Sequence, residues 1–259
     1  MNPRREQALQ AFDRLLTIMD ELREQCPWDK AQTLDSLRHL TIEEVYELGD
    51  AILDNDLTEL RKEVGDVLLH LVFYARIASE TGAFDIADVL ESLNEKLVRR
   101  HPHIYGDFVA GDEEAVKANW ERIKLKEGKK SVLEGVPRSL PALVKAYRIQ
   151  DKAHGIGFDW NHAEEVLEKV REEQGELAQA VAEGQAAPIE EEFGDVLFSW
   201  VNYARWIQVD PEAALERANK KFMTRFRRME SLAEAEGSSL SAQDFDNMNR
   251  LWDLAKKEM

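Results

Sequence analysis

Apolar residues recur at three- and four-residue spacing along nearly the whole chain, with charged residues between them. Phe12, Leu15, Leu16, Met19 and Leu22 form one such stripe, and Val89, Leu90, Leu93 and Leu97 form another. This is the period of a helix that buries one face, and the alternation expected of a half-buried strand is almost absent. Helix starts are marked locally. Asp210-Pro211 reads as an N-cap followed by a first-turn proline, and Ser241 with Asp244 three residues on resembles a capping box. The pattern predicts an all-α protein of roughly ten helices.

The pattern also repeats. At a shift of 129 residues, Glu43, Glu44 and Glu47 fall on Glu172, Glu173 and Glu176, while Glu63 and Asp66 fall on Glu192 and Asp195. Residues 63–76, EVGDVLLHLVFYAR, and 192–205, EFGDVLFSWVNYAR, agree at nine of fourteen positions, where composition alone gives roughly one. The duplicated unit spans about 100 residues, too long for a solenoid repeat, so two tandem four-helix-bundle-like domains are expected. The least regular stretch, GKKSVLEGVPRSLP at 128–141, holds two glycines and two prolines and is the natural joint. The expected division is 1–130 and 131–259.

Composition narrows the function. Of 259 residues, 44% are hydrophobic, enough for packed cores, and the net charge of −17 disfavours a DNA- or RNA-binding face or an anionic membrane surface. Cys26 is the single cysteine, so no internal disulfide or cysteine metal cluster forms, and a reducing cytoplasmic setting is the simplest expectation. The first residues lack the apolar core of a signal peptide, and the apolar run VLLHLVFYARIA is far short of a membrane span.

The acids carry the chemistry. In EExxE the second and last Glu share a helix face, so Glu173 and Glu176 point the same way, as do Glu192 and Asp195 in ExxD on the next helix. Gly184 and Pro188 lie between the two motifs and can turn the chain, bringing four carboxylates together. A single EExxE is ordinarily a wet helix face. Here it is paired with ExxD, the pairing occurs twice, and a glycine (Gly65, Gly194) precedes the aspartate each time, which points to close backbone packing or room for a ligand. Four hard oxygen ligands without Cys or His at ligand spacing suit Mg²⁺, or Mn²⁺ in its place. A di-iron bundle would need an ExxH pair, which neither EExxE run has. A P-loop and a nucleophile elbow are also absent from the sequence.

Tandem EExxE–ExxD on an all-α scaffold, with the segments CPWDKAQT, RRHPHIYGD, PRSLPALVKAYRIQDKA, GFDW and NKKFMTRFR in order, resembles the MazG family of nucleoside triphosphate pyrophosphohydrolases over essentially the whole chain. The resemblance implies Mg²⁺-dependent hydrolysis of nucleoside triphosphates to monophosphate and pyrophosphate, with broad base specificity. It implies Glu173, Glu176, Glu192 and Asp195 as metal ligands, with Glu172 orienting the attacking water. Lys221 and Arg225 would contact phosphate, and Trp252 and Lys256 would hold the nucleotide, with Lys169 a further candidate one turn before the acids. Pro188 stands where some relatives carry a basic residue. The resemblance also implies a homodimer whose second half is the main catalytic unit. The first half keeps Glu43, Glu44, Glu47, Glu63 and Asp66, with Lys96, Arg100 and Trp120 as further members of a second site. The alternative is a nucleotide-binding regulatory protein without turnover, against which the intact acids argue.

Overall fold

The computed structural model describes residues 2–107 and 131–258 and, between them, positions 111, 116, 119, 120 and 123. Among the described residues there are eleven α-helices and no strand. They are α1 (Pro3–Gln25), α2 (Pro27–Ala31), α3 (Leu34–Leu53), α4 (Leu57–Ser79), α5 (Ile86–Arg100), α6 (Pro102–Tyr105), α7 (Ala142–His154), α8 (Ala163–Glu183), α9 (Ala186–Trp206), α10 (Pro211–Ala235) and α11 (Phe245–Lys257). The all-α expectation holds. The chain divides into two compact units, Met1–Val109 and Ala110–Met259. The start of the expected joint, Gly128–Lys130, lies outside the described residues, and the rest of it runs as turns up to Pro141, which caps α7. No described helix is long and apolar enough to cross a membrane.

The duplication is visible in the helix boundaries. Leu34 and Ala163 begin α3 and α8, and Leu57 and Ala186 begin α4 and α9; both pairs are 129 residues apart. Each pair forms an antiparallel hairpin in its own unit. The chain between α8 and α9 turns at Gly184, which takes a left-handed φ of 74° that a side chain rarely adopts. Pro188 sits in the first turn of α9, where no intrahelical hydrogen bond needs its missing N–H.

Most helix starts are fixed by short polar side chains. Thr33 and Ser36 make a reciprocal capping box on α3, as do Asp85 and Asp88 on α5. Asp56 caps α4, and Asp210 with Pro211 opens α10 as its sequence indicates. The expectation at Ser241 is corrected. Ser241 lies in a 3-10 turn at Leu240–Ala242, and α11 is instead capped by Asp244, whose carboxylate accepts from the Asn247 N–H. A short hydroxyl already held in a preceding turn cannot serve the next helix.

In the first unit the core gathers Met19, Leu37, Val72 and Phe73 from α1, α3 and α4, with Phe12, Leu15 and Leu16 packed against them. The first sequence stripe therefore faces the core. The stripe Val89, Leu90, Leu93 and Leu97 on α5 does not: each of these residues is about 40% exposed. In the second unit Met229 and Ala233 of α10 pack on Leu251 and Ala255 of α11.

Arg23 is the polar tie of the first unit. Its guanidinium donates to both carboxylate oxygens of Glu80, at 2.6 and 2.9 Å, and to the backbone carbonyls of Asp29 and Gln32, linking α1, the turn after α2 and the end of α4. Arg76 also reaches Glu80, at 3.2 Å. Replacing Arg23 with Ala would leave two half-buried carbonyls and a carboxylate short of donors. We expect it to destabilise this unit by about 2–4 kcal/mol, read as a lowered first transition in denaturant unfolding. The Arg23 hydrogen bond holds the Glu80 carboxyl below its ordinary value near 4.5, outweighing the opposite pull of burial, with the charges of Arg23 and Arg76 helping. The unfolded chain therefore binds the proton first as pH falls. The stabilisation is complete above the ordinary carboxylate range and is lost as pH drops through the lowered folded value. Glu80→Gln should accordingly show a lower melting temperature at neutral pH and a flatter decline on the acid side.

Candidate active site

The hairpin geometry delivers the acids to one place in each unit. In the second unit Glu173 and Glu176 of α8 meet Glu192 of α9, with one carboxylate oxygen from each lying within 4.8 Å of the others. In the first unit the corresponding cluster is Glu44, Glu63 and Asp66 within the same distance. Two repeat positions are common to both clusters, Glu44 with Glu173 and Glu63 with Glu192. The third member is Asp66 in one unit and Glu176 in the other, one from each of the two remaining positions of the motif. Asp195 does not join the tight trio; it lines the cavity next to Glu173. Glu47 lies beside Glu63 in a shallow depression of about 250 Å³ walled by Asp50, Asp54, Asp56 and Glu59.

Charge crowding is evident at both clusters. The Glu176 carboxyl is pushed above its ordinary value, first by a hydrogen bond with Glu173, then by burial and by the charges of Glu173 and Glu192. Burial raises that of Glu44, with Asp66, Glu47 and Glu63 adding repulsion. One lysine in each unit offsets part of this. Lys169 bridges Glu172 at 2.7 Å and Glu173 at 2.8 Å, and Lys62 bridges Glu59 at 2.7 Å and Glu63 at 2.8 Å. The carboxylates raise the pKa of both lysines, so both stay charged. The lysines occupy unrelated repeat positions, since Lys62 is on the ExxD helix and Lys169 on the EExxE helix.

The donor set fits a hard divalent cation. Every candidate ligand is a carboxylate oxygen, and Glu63 is fully buried with its Oε2 lacking any hydrogen-bond partner, which is costly unless a cation or proton attends it. Gly65 and Gly194 settle one of the two sequence readings. A Cβ built on either meets nothing within 4 Å, so these glycines do not serve close backbone packing; they leave open space beside the acids.

Glu172 is exposed and turned toward Lys169, and Glu43 is exposed on α3. A second assembly forms on α10 and α11. The half-buried Trp252 indole has Phe222 at 5.2 Å, the Arg225 guanidinium at 6.0 Å and the Lys256 ammonium at 5.9 Å. The Arg225 Nε is buried without a hydrogen-bond partner, and Lys256 pairs with Asp253 at 3.0 Å. Lys221 is exposed one turn before Arg225. Trp252, Arg225 and Lys256 are thus brought together. Trp252 also closes the small core of Met229, Ala233, Leu251 and Ala255, so its packing and binding readings coexist. In the first unit Lys96 is exposed and Arg100 half-buried on α5. Trp120 falls within the second unit.

A cavity of about 640 Å³ opens between α7, α8 and α9, with Glu173, Asp195 and Lys169 on its wall. Two features of that wall are not singled out by any sequence motif. Asp159 accepts from Arg205 at 2.6 Å, from the Trp206 indole at 3.1 Å and from the Trp160 N–H at 2.9 Å, with His154 at 2.7 Å. Burial alone would raise the Asp159 pKa, but these donors, Arg205 first, hold it below the ordinary value. Gln150 of α7 is the other feature, a buried amide on a helix whose remaining core positions are apolar. Its place in the Leu143–Tyr147–Gln150 stripe is the one sequence cue for it.

With this geometry in view, the chain can be compared with known proteins. The MazG nucleotide pyrophosphohydrolase domain matches twice, over residues 32–105 and 161–229, together just over half of the chain, and each match encloses one acid cluster. The chain is 43% identical over 258 residues to the nucleoside triphosphate pyrophosphohydrolase of Escherichia coli strain K12, covering 95% of this chain and 97% of that one. It is 46% identical over 250 residues to the nucleoside triphosphate pyrophosphohydrolase/pyrophosphatase MazG of Thermotoga maritima, covering 95% of each. A solved structure of a MazG-related protein from Thermotoga maritima is 28% identical, covers 44% of this chain and 98% of its own, and superposes with a TM-score of 0.39. Two matched domains, two carboxylate clusters and identity along nearly the full length agree: the chain belongs to the MazG nucleotide pyrophosphohydrolase family.

Proposed function

We propose that this protein is a Mg²⁺-dependent nucleoside triphosphate pyrophosphohydrolase of broad base range, acting in nucleotide-pool housekeeping in the cytoplasm, with its main active site in the second half. The observation that carries this is the meeting of Glu173, Glu176 and Glu192 beside a cavity of nucleoside size in the same unit. The first unit's acids instead adjoin a small depression walled by further carboxylates, a poor seat for a polyanion. That contrast supports the second half as catalytic and the first as an assembly unit or a degenerate site.

Glu173, Glu176, Glu192 and Asp195 would hold the cation. A bound Mg²⁺ would supply charge neutralisation for the triphosphate and for the departing pyrophosphate. The chain's own groups do the rest. Glu172, exposed at the rim, would accept a proton from the attacking water. The water oxygen bonds to the α-phosphorus, the bond from that phosphorus to the α–β bridging oxygen breaks, and the oxygen leaves with pyrophosphate. Lys169, Lys221 and Arg225 would balance negative charge along the phosphates, and Trp252 with Lys256 would help hold the nucleotide. The exposed leucine face of α5 supports the homodimer as the working state, since such faces are commonly covered by a second copy.

With a mixture of NTPs and dNTPs, we expect pyrophosphate and nucleoside monophosphate in equal amounts, dependent on Mg²⁺ or Mn²⁺. Release of single phosphates, or tight nucleotide binding without turnover in either metal, would refute the assignment. Glu173→Gln should lower kcat by on the order of 100-fold or more, whereas Glu44→Gln should change it by less than about tenfold. The reverse ranking would move the main site to the first half.

A further inference from the structure

The cavity beside the second acid cluster contains one polar group with no partner. Gln150 is 7% exposed. Its amide nitrogen donates to the Phe198 carbonyl of α9 at 2.8 Å, and its Oε1 is buried without any hydrogen bond. The Phe198 contact fixes which way the amide faces, because the reversed amide would set two acceptors against each other. The orphan is therefore an acceptor, and Gln150 lies on the cavity wall. Leaving a buried acceptor unpaired costs about 1–3 kcal/mol, so a chain that keeps one invites the question of what donates to it.

The rest of the wall narrows the donor. Phe158, Trp160 and Phe198 give the cavity flat aromatic surfaces. Glu173 and Asp195, shared with the metal-ligand set, mark its charged end. An occupant that suits both ends has a flat apolar ring at one end and a cation-binding polyanion at the other. Its ring must also carry an edge N–H.

We propose that Gln150 is a specificity-determining residue of the second-half site: the substrate's nucleobase enters this cavity and donates an edge N–H to the Gln150 Oε1. This rests on the pyrophosphohydrolase reading above. A, G, C, T and U all present at least one N–H on the pairing edge, as exocyclic amine or ring imide, so a single acceptor admits them all. The same acceptor rejects a ring with no donor, because binding it would leave Oε1 buried and unpaired in the complex.

Purine riboside triphosphate, which is ATP without its exocyclic amine, is the discriminating probe. The native enzyme should show kcat/KM for ATP higher by about 10- to 100-fold, the range given by a loss of about 1–3 kcal/mol. In Gln150→Leu and Gln150→Met the two substrates should converge to within a few-fold, whatever the variants do to absolute rate. Equal kcat/KM for the two substrates with the native enzyme overturns the proposal without needing any variant to fold. So does a preference that persists in both Gln150 variants, or one that is lost in Trp252→Ala instead, which would place the base on α11. Pyrophosphate release from ATP in the same assay reports on the underlying activity, so failure of the specificity claim and failure of the enzyme assignment are read separately.

Discussion

Like charge held at short range is the constraint around which each half is organised. Three carboxylates within 4.8 Å repel one another, and the protein does not relieve this by spreading them apart. Packing of α3 on α4, and of α8 on α9, fixes their spacing, and the apolar cores behind the hairpins hold it. Relief comes instead from counter-charge: a lysine at each cluster, raised pKa values on Glu44 and Glu176, and a geometry that fits a divalent cation. Strain of this kind persists only where the surrounding fold over-determines it. The chemistry of hydrolysing a polyanion needs such a place.

The two halves show how one plan can drift. Helix starts remain in step at 129 residues, and the acids are retained in both. The neutralising lysine, by contrast, has changed helix, and the third member of the tight trio has changed motif. The wall beside the acids has also diverged, toward aromatic residues and a buried amide in one half and toward more carboxylates in the other. Backbone register and ligand positions are coupled tightly through helix packing. Counter-charge and cavity walls tolerate substitution because many side chains can reach the same point.

The same coupling decides what is legible in the sequence. Helical period, the turn at Gly184 and the pairing of EExxE with ExxD all follow from spacing along one or two helices, so the meeting of Glu173, Glu176 and Glu192 is predictable from residue spacing alone. Residues that matter through a third element are less visible. Gln150 and Asp159 act through partners 46–48 residues away, on α9, and no local motif announces such contacts. Nor does spacing separate the two roles open to Gly65 and Gly194, or show that Asp244 rather than Ser241 caps the last long helix. Both depend on what neighbouring atoms do.

Those two glycines carry a consequence beyond their geometry. Each sits inside a long helix, where it costs about 1 kcal/mol relative to Ala, and neither is forced by a crowded neighbour. The sequence accepts the penalty at matching points of both halves. An alanine there would fit and would make the helix firmer, yet it would set a methyl group on the surface that borders the acids. The bare backbone is then best understood as clearance kept for traffic of ion, water and product. In this protein some thermal robustness has been given up to keep the approach to its charged centre unobstructed.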